Sequence, residues 1–252
     1  MPVSASLLAV SAALKVASLN LCTDELVLLL AAPHQIVSVT HLAQQPEETP
    51  LWRQARRYRS NDGSLLSVAG FKPDLVVTMG GGARDRLRIA GRLGIRTIDL
   101  PFARSLADVE ASVTRLAAAL GRPNAGAGLL RRMAALKASA PRGGRDTIWL
   151  GGGGRTVSAD GLEAQWMALA GMRQRPAKGD RISLETLLLR PPAILLRSDY
   201  RQGQYSAGQR WLTHPVARRP LNARVIATDG RLWTCMGPLL IDEIHRLRGL
   251  TQ

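Results

Sequence analysis

From Lys15 onward the chain alternates short β-branched runs with leucine-rich stretches of helical period, the pattern of parallel strands whose faces are covered by helices. Residues 15–20 (KVASLN) predict a strand, and Thr23 or Asp24 then caps a helix (DELVLLLAA) that Pro33 stops. Residues 35–39 predict a second strand, and residues 40–61, rich in Pro, Gln and Arg, show no period. Strands follow at 75–79 and 97–100, with a helix at 83–93 between them. Ser105 and Asp108 form a capping-box-like start to a helix that Gly121 ends. Pro123 suits the first turn of the next helix, residues 124–139, which would span roughly 24 Å. The pattern then restarts: a strand at 146–150, a loop of four glycines, a helix at 162–170, a strand at 224–227 and a last helix from 239 to about 247.

A repeat underlies this restart. Residues 62–80 (DGSLLSVAGFKPDLVVTMG) align without a gap on residues 180–198 (DRISLETLLLRPPAILLRS). Each copy carries an aspartate, a short leucine-rich helix, a basic residue, a proline and a strand that empties into a polar or glycine-rich loop. Two similar α/β halves imply a cleft between them. The expected fold is α/β, with two Rossmann-like lobes of mostly parallel sheet. The expected division is an N-terminal lobe at 15–122, an interlobe helix at 123–140 and a C-terminal lobe at 141–252.

At 252 residues the chain has room for two such lobes. Its formal charge of +15 raises nucleic-acid binding as a candidate, but the basic residues are nearly all Arg and scattered; only Arg56, Arg57 and Arg59 cluster. Without a nucleic-acid motif beside it, the charge reads as a surface and cleft suited to anionic ligands, and no nucleic-acid partner is expected. Residues 1–14 read as a secretory signal segment, with Ser11 and Ala13 placed as at a cleavage site, although no positive charge precedes Lys15. In an exported protein the two cysteines, Cys22 and Cys235, suit a disulfide; in a reducing compartment they would be inert thiols. Leu21 before Cys22 argues against a lipid anchor there.

Catalytic signatures are missing. His34, His41, His214 and His245 have no metal-ligand spacing, no GxSxG elbow occurs, and Thr156 and Val157 stand where a dinucleotide loop needs its third glycine. No cofactor and no protein-held metal are expected. Ligands of parallel α/β sheets gather at the carboxyl ends of strands. That rule selects Asn20, Cys22, Thr23, His41, Gly80, Gly81 and Arg84 in the first half. In the second half it selects Gly152, Arg155, Asp199, Tyr200, Arg201, Trp233 and Cys235. The set offers glycines for close backbone approach, arginines for acidic groups and aromatic rings for flat ones, which suits binding rather than turnover.

The stretches VASLNLCTDELVLLLA at 16–31, FKPDLVVTM at 71–79, SLETLLLRPPAILL at 183–196 and WLTHPVARRPLNARVIATDGRLWTCMGP at 211–238, with the paired helices of 105–139, resemble the metal-chelate class of periplasmic substrate-binding proteins of ABC importers. This resemblance implies the class III fold, two lobes joined by one long helix, and a monomer exported to the periplasm. It also implies capture of an iron-siderophore, haem or cobalamin and delivery to an inner-membrane permease with its ATPase. The Arg-rich character favours a ferric siderophore, then cobalamin; the aromatic content of 4% weighs against a large planar tetrapyrrole. Glu185 fits the acidic position through which the second lobe of this family docks on its permease. Leu66 and Ser67 stand at the first-lobe position, so Glu47 or Glu48 would have to substitute there. The resemblance puts Cys22 and Cys235 in cleft-facing loops of opposite lobes, where they would form an interlobe disulfide. The competing class is an enzyme of two Rossmann-like halves acting on a nucleotide-linked substrate. It needs a phosphate-binding helix terminus and a base in the cleft, and neither is evident.

Overall fold

The computed structural model describes residues 14–80, 84–200, 206–220 and 222–251, with the backbone alone for 84–87. Apart from Leu14, the segment read as a secretory signal lies outside the described residues. Five strands, β1 (Val16–Ser18), β2 (Ile36–Thr40), β3 (Arg59–Asn61), β4 (Leu75–Met79) and β5 (Arg96–Leu100), form one sheet in the order β3-β2-β1-β4-β5. Four more, β6 (Arg145–Leu150), β7 (Met172–Gln174), β8 (Ile194–Ser198) and β9 (Arg224–Thr228), form a second in the order β7-β6-β8-β9. Every pairing within these sheets is parallel. Central strands are therefore apolar on both faces: Val16, Ala17, Leu75 and Val77 in one sheet and Ile148, Ile194, Leu195 and Leu196 in the other are fully buried. Strand order reverses between β1 and β4, and again between β6 and β8, which opens a crevice at the carboxyl ends of each pair.

The helix Pro123–Ala138 links the halves, with Pro123 in its first turn as expected. Its Ala125, Leu129 and Leu130 pack on the first lobe's core, and Met133 and Leu136 are buried in the second's. Helix Leu106–Ala119 runs against it and also serves both cores, with Val109 in the second and Val113, Leu116 and Ala117 in the first. Gly126 makes this contact close, since a Cβ there would lie 2.6 Å from the Ala117 Cβ. Two adjacent rods thus tie the lobes.

The structure revises three local expectations. The first long helix spans Leu21–Leu30 and is capped by Asn20, whose Oδ1 accepts from the Cys22 N–H at 2.9 Å, rather than by Thr23 or Asp24. Strands β3 and β7, each three residues long and partly polar, are specified by the neighbours they pair with rather than by a pattern of their own. The repeat is also offset by one residue from its gapless alignment. Ser64 and Ser183 both cap the short leucine-rich helices, and Leu75 and Ile194 both open the strands. The structural counterpart of Glu185 is therefore Leu66, which is 82% exposed.

Candidate functional site

The carboxyl ends of β6 and β8 frame a hollow of about 450 Å³ lined by Trp149, Gly152, Arg155, Glu163, Tyr200 and Gln209, among others. Gly151 and Gly152 of the glycine run line it; Gly153 and Gly154 adopt φ of 68° and 76°, and Gly208 on the helix Ala207–Thr213 packs on the turn so tightly that a Cβ there would meet the Gly153 nitrogen at 3.2 Å. Arg155 leans on Asp180 at 3.4 Å, but its side chain stays 63% exposed and able to meet an anion. Gln209 donates to the Tyr200 carbonyl at 2.7 Å and so fixes the Tyr200 backbone. The Trp149 ring forms one wall; among the described residues its Nε1 has no hydrogen-bond partner.

Tyr200 also reaches across the lobes. Its hydroxyl donates to Glu48 Oε2 at 2.7 Å. Beside it Arg231 donates to the Pro46 carbonyl at 2.7 Å while forked on Asp229. Burial works against the Asp229 carboxylate, yet the hydrogen bonds from Arg231 hold its pKa below the ordinary value. On the cleft floor Cys22 and Cys235 form a disulfide, with Cα atoms 5.1 Å apart, joining the first turn of the Leu21–Leu30 helix to the Leu232–Cys235 helix of the other lobe. The next residue, Met236, is left-handed at φ 49°, and its carbonyl accepts from the Nε1 of fully buried Trp166 at 3.0 Å.

Of the residues selected from sequence, Gly152, Arg155 and Tyr200 line the second-lobe hollow, and Cys22 and Cys235 meet at the floor. His41 is exposed at the end of β2 with Nδ1 3.3 Å from the Asn61 carbonyl. Gly80 ends β4 at φ 104° under the ring of Phe102, which an added Cβ would meet at 2.6 Å. Asn20 is spent as a helix cap. Three of the selected residues have their polar groups engaged within the protein. Thr23 is fully buried and hydrogen bonded to Ser18, so its hydroxyl cannot face a ligand. Trp233 is 5% exposed, donates to the Thr228 hydroxyl and packs edge-on to Trp149. Asp199 is engaged by Arg197 at 2.9 Å. Gly81, Arg201 and the Arg84 side chain lie outside the described residues. The sequence reading omitted Trp149, Gln209 and Phe102. Phe102 is 63% exposed just beyond the carboxyl end of β5, where the strand-end rule that selected the others also points.

Two adjacent acids sit beneath the cleft. Burial raises Asp24 to about 7 against hydrogen bonds from Thr40, and burial raises Glu25 to about 8 against the Thr49 hydroxyl, with Asp24 and Asp229 pushing Glu25 further the same way. A carboxyl whose pKa is higher folded than unfolded holds its proton better in the native state. This contribution is complete below about pH 4.5 and is gone once pH passes about 8. The melting temperature is therefore expected to fall as pH rises from 5 to 8. Thermal melts of Glu25→Gln should show a flatter profile; an unchanged slope would contradict this account.

This architecture of paired parallel α/β lobes, with a ligand-sized hollow at the strand ends of the second, is that of a class III solute-binding protein. Residues 16–220 match the family model described as periplasmic binding protein, and the chain belongs to that family. No curated protein matches it. Among solved structures it is similar to the periplasmic heme-binding protein BhuT in complex with two hemes, at 18% identity and a TM-score of 0.66 over 94% of this chain and 98% of that one. A periplasmic heme-binding protein from Pseudomonas aeruginosa matches at 21% identity and TM-score 0.64, over 94% and 92% of the two chains. The periplasmic vitamin B12 binding protein BtuF of Vibrio cholerae matches at 16% and 0.63, over 93% and 95%. At these identities the likeness is one of fold. Among the described residues, no helix is long and apolar enough to cross a membrane.

Proposed function

We propose that the protein is the solute receptor of an ABC importer, capturing an anionic metal chelate between its lobes and passing it unaltered to a membrane permease. A ferric siderophore is the favoured cargo and cobalamin the next. The observation that carries this reading is the second-lobe hollow. It presents an accessible guanidinium, the Tyr200 and Gln209 polar groups and an indole wall, and among the described residues no histidine or lysine lines it. The enzyme reading would require a base poised against a substrate; Glu163 is the one carboxylate among the described lining residues, and Glu163→Gln, which would abolish turnover by an enzyme, is expected to leave chelate capture in place.

Glu185 suits the delivery step. It is exposed in the first turn of its helix, and hydrogen bonds from its own backbone N–H and the Ser183 hydroxyl hold its pKa below the usual carboxylate value, so it is ionised at neutral pH. Leu66 at the counterpart position makes the docking face acidic on one lobe and apolar on the other. Glu48 does not restore the symmetry, being 8% exposed and bonded to Tyr200.

Thermal shift tests the reading with ferric tris-catecholate, cyanocobalamin, hemin and UDP-glucose. At a hundred times Kd a true ligand stabilises by about 2.7 kcal/mol, or several degrees for a chain of this size. The ferric catecholate is expected to give that shift, and Arg155→Ala to raise Kd about tenfold by removing a charged hydrogen bond, which about halves the shift at the same ligand concentration. A shift with UDP-glucose alone would favour the enzyme.

A further inference from the structure

The lysines of the chain are only Lys15, Lys72, Lys137 and Lys178, so its positive charge is carried almost wholly by guanidinium groups. Many of these are matched by carboxylates: Arg132 with Asp242, Arg175 with Asp146, Arg231 with Asp229 and Arg246 with Glu243. One concave site departs from that pattern at two of its three arginines, Arg218 and Arg219. Beside β9, the edge strand of the second sheet, a hollow of about 740 Å³ is lined by Arg197, Arg218, Arg219, Thr213, Pro215 and Val225, with Ala223 completing it. It shares no residue with the second-lobe hollow at the carboxyl ends of β6 and β8.

Arg197 rises from β8 and is held through its Nε by Asp199 at 2.9 Å, which leaves its terminal nitrogens available. Arg218 closes the short helix Pro215–Arg218 and Arg219 follows it; both are exposed. Neither of their side chains has a hydrogen-bond or ion-pair partner among the described residues, and no carboxylate lines the hollow. With Arg197 matched by Asp199, the concavity keeps the uncompensated charge of Arg218 and Arg219, which repel one another, and the concave wall focuses their field. A dianionic group with several oxygens relieves this repulsion and matches the planar forks of arginine better than a halide or a single carboxylate would.

We infer that the hollow formed by Arg197, Arg218 and Arg219 beside β9 is a binding site for a phosphate group, separate from the chelate cleft. A free phosphoanion and the headgroup of an anionic phospholipid present the same chemistry to it. The lipid would hold the receptor against the membrane surface, and the free anion would make a second solute site.

Isothermal titration with pyrophosphate and pelleting with phosphatidylglycerol vesicles, against phosphatidylcholine vesicles, separate the two sources. The double variant Arg218→Gln/Arg219→Gln is compared with Arg131→Gln/Arg142→Gln, which removes the same charge from exposed positions elsewhere. The site is supported by binding in either arm that the 218/219 variant weakens at least tenfold while the 131/142 variant stays within twofold of the parent. Pyrophosphate binding assigns the free anion, and vesicle binding without it assigns the lipid. Absence of binding in both arms, or equal loss in both variants, would overturn the inference. Matching far-ultraviolet circular dichroism and melting curves for the two variants ensure that a loss reports on binding rather than folding.

Discussion

Reducing the Cys22–Cys235 bridge, or replacing both residues by serine, is expected to lower the melting temperature by about 4–16 °C, corresponding to about 2–4 kcal/mol. The bridge closes a loop with a sequence separation of 213 residues, nearly the whole chain, so it removes much of the freedom of the unfolded state. It also acts on the native state in a way an intralobe bridge would not. Cys22 lies in the first turn of a first-lobe helix and Cys235 ends a second-lobe helix, so the cleft floor is covalently fixed. The paired helices tie the back of the molecule, and Tyr200–Glu48 and Arg231–Pro46 tie one side by hydrogen bonds alone. Reduction should therefore release the lobes around the remaining ties, seen as a larger radius of gyration in small-angle scattering and faster ligand dissociation. Melting curves that coincide with and without reductant would show that the bridge contributes nothing.

Gly230→Ala is expected to be the most damaging single substitution at the cleft. An added Cβ would lie 2.3 Å from the Tyr200 Cβ, 2.5 Å from the Tyr200 nitrogen and 2.6 Å from the Ser198 Oγ. Backbone and Cβ atoms cannot rotate aside, so the Tyr200 backbone must shift, at a cost of about 1–3 kcal/mol. The shift carries Tyr200 away from Glu48 and removes one wall of the hollow. Chelate affinity should fall at least tenfold and the melting temperature by about 2–12 °C. Gly237→Ala is the control, because nothing lies within 4 Å of a Cβ built there. Equal behaviour of the two variants would mean that Tyr200 does not shape the site.

Local signals made much of this fold legible. Ser105 caps its helix and Pro123 opens the next, each a choice the side chain makes with its own backbone. Strands β3 and β7 were not legible, because three-residue strands with exposed arginines at Arg59 and Arg173 carry no alternation and form only by pairing with β2 and β6. The repeat was visible but displaced, since matching Asp62 with Asp180 outweighed the caps Ser64 and Ser183 that place the helices.

At the site, chain position indicated the carboxyl ends of the strands but not which way each side chain turns. Trp233 has the composition of a stacking residue, yet a single helical turn directs its indole to the Thr228 hydroxyl inside the core. Trp149, inside a strand, supplies a wall instead. Thr23 lies one residue beyond a cleft cysteine, and the 100° advance of a helix is enough to bury it. The contacts that close the cleft, Tyr200 to Glu48 and Arg231 to Pro46, join positions far apart in sequence and leave no local pattern to read.

Native mass spectrometry of the oxidised protein with ferric tris-catecholate, cyanocobalamin and hemin at equal concentrations tests the central claim most directly. The account predicts a one-to-one complex with one chelate, the ferric catecholate foremost. That complex should be depleted in Arg155→Ala and Gly230→Ala and should yield the chelate with its mass unchanged on denaturation. No complex with any of the three, or a chelate released with altered mass, would contradict a receptor that carries its cargo without changing it.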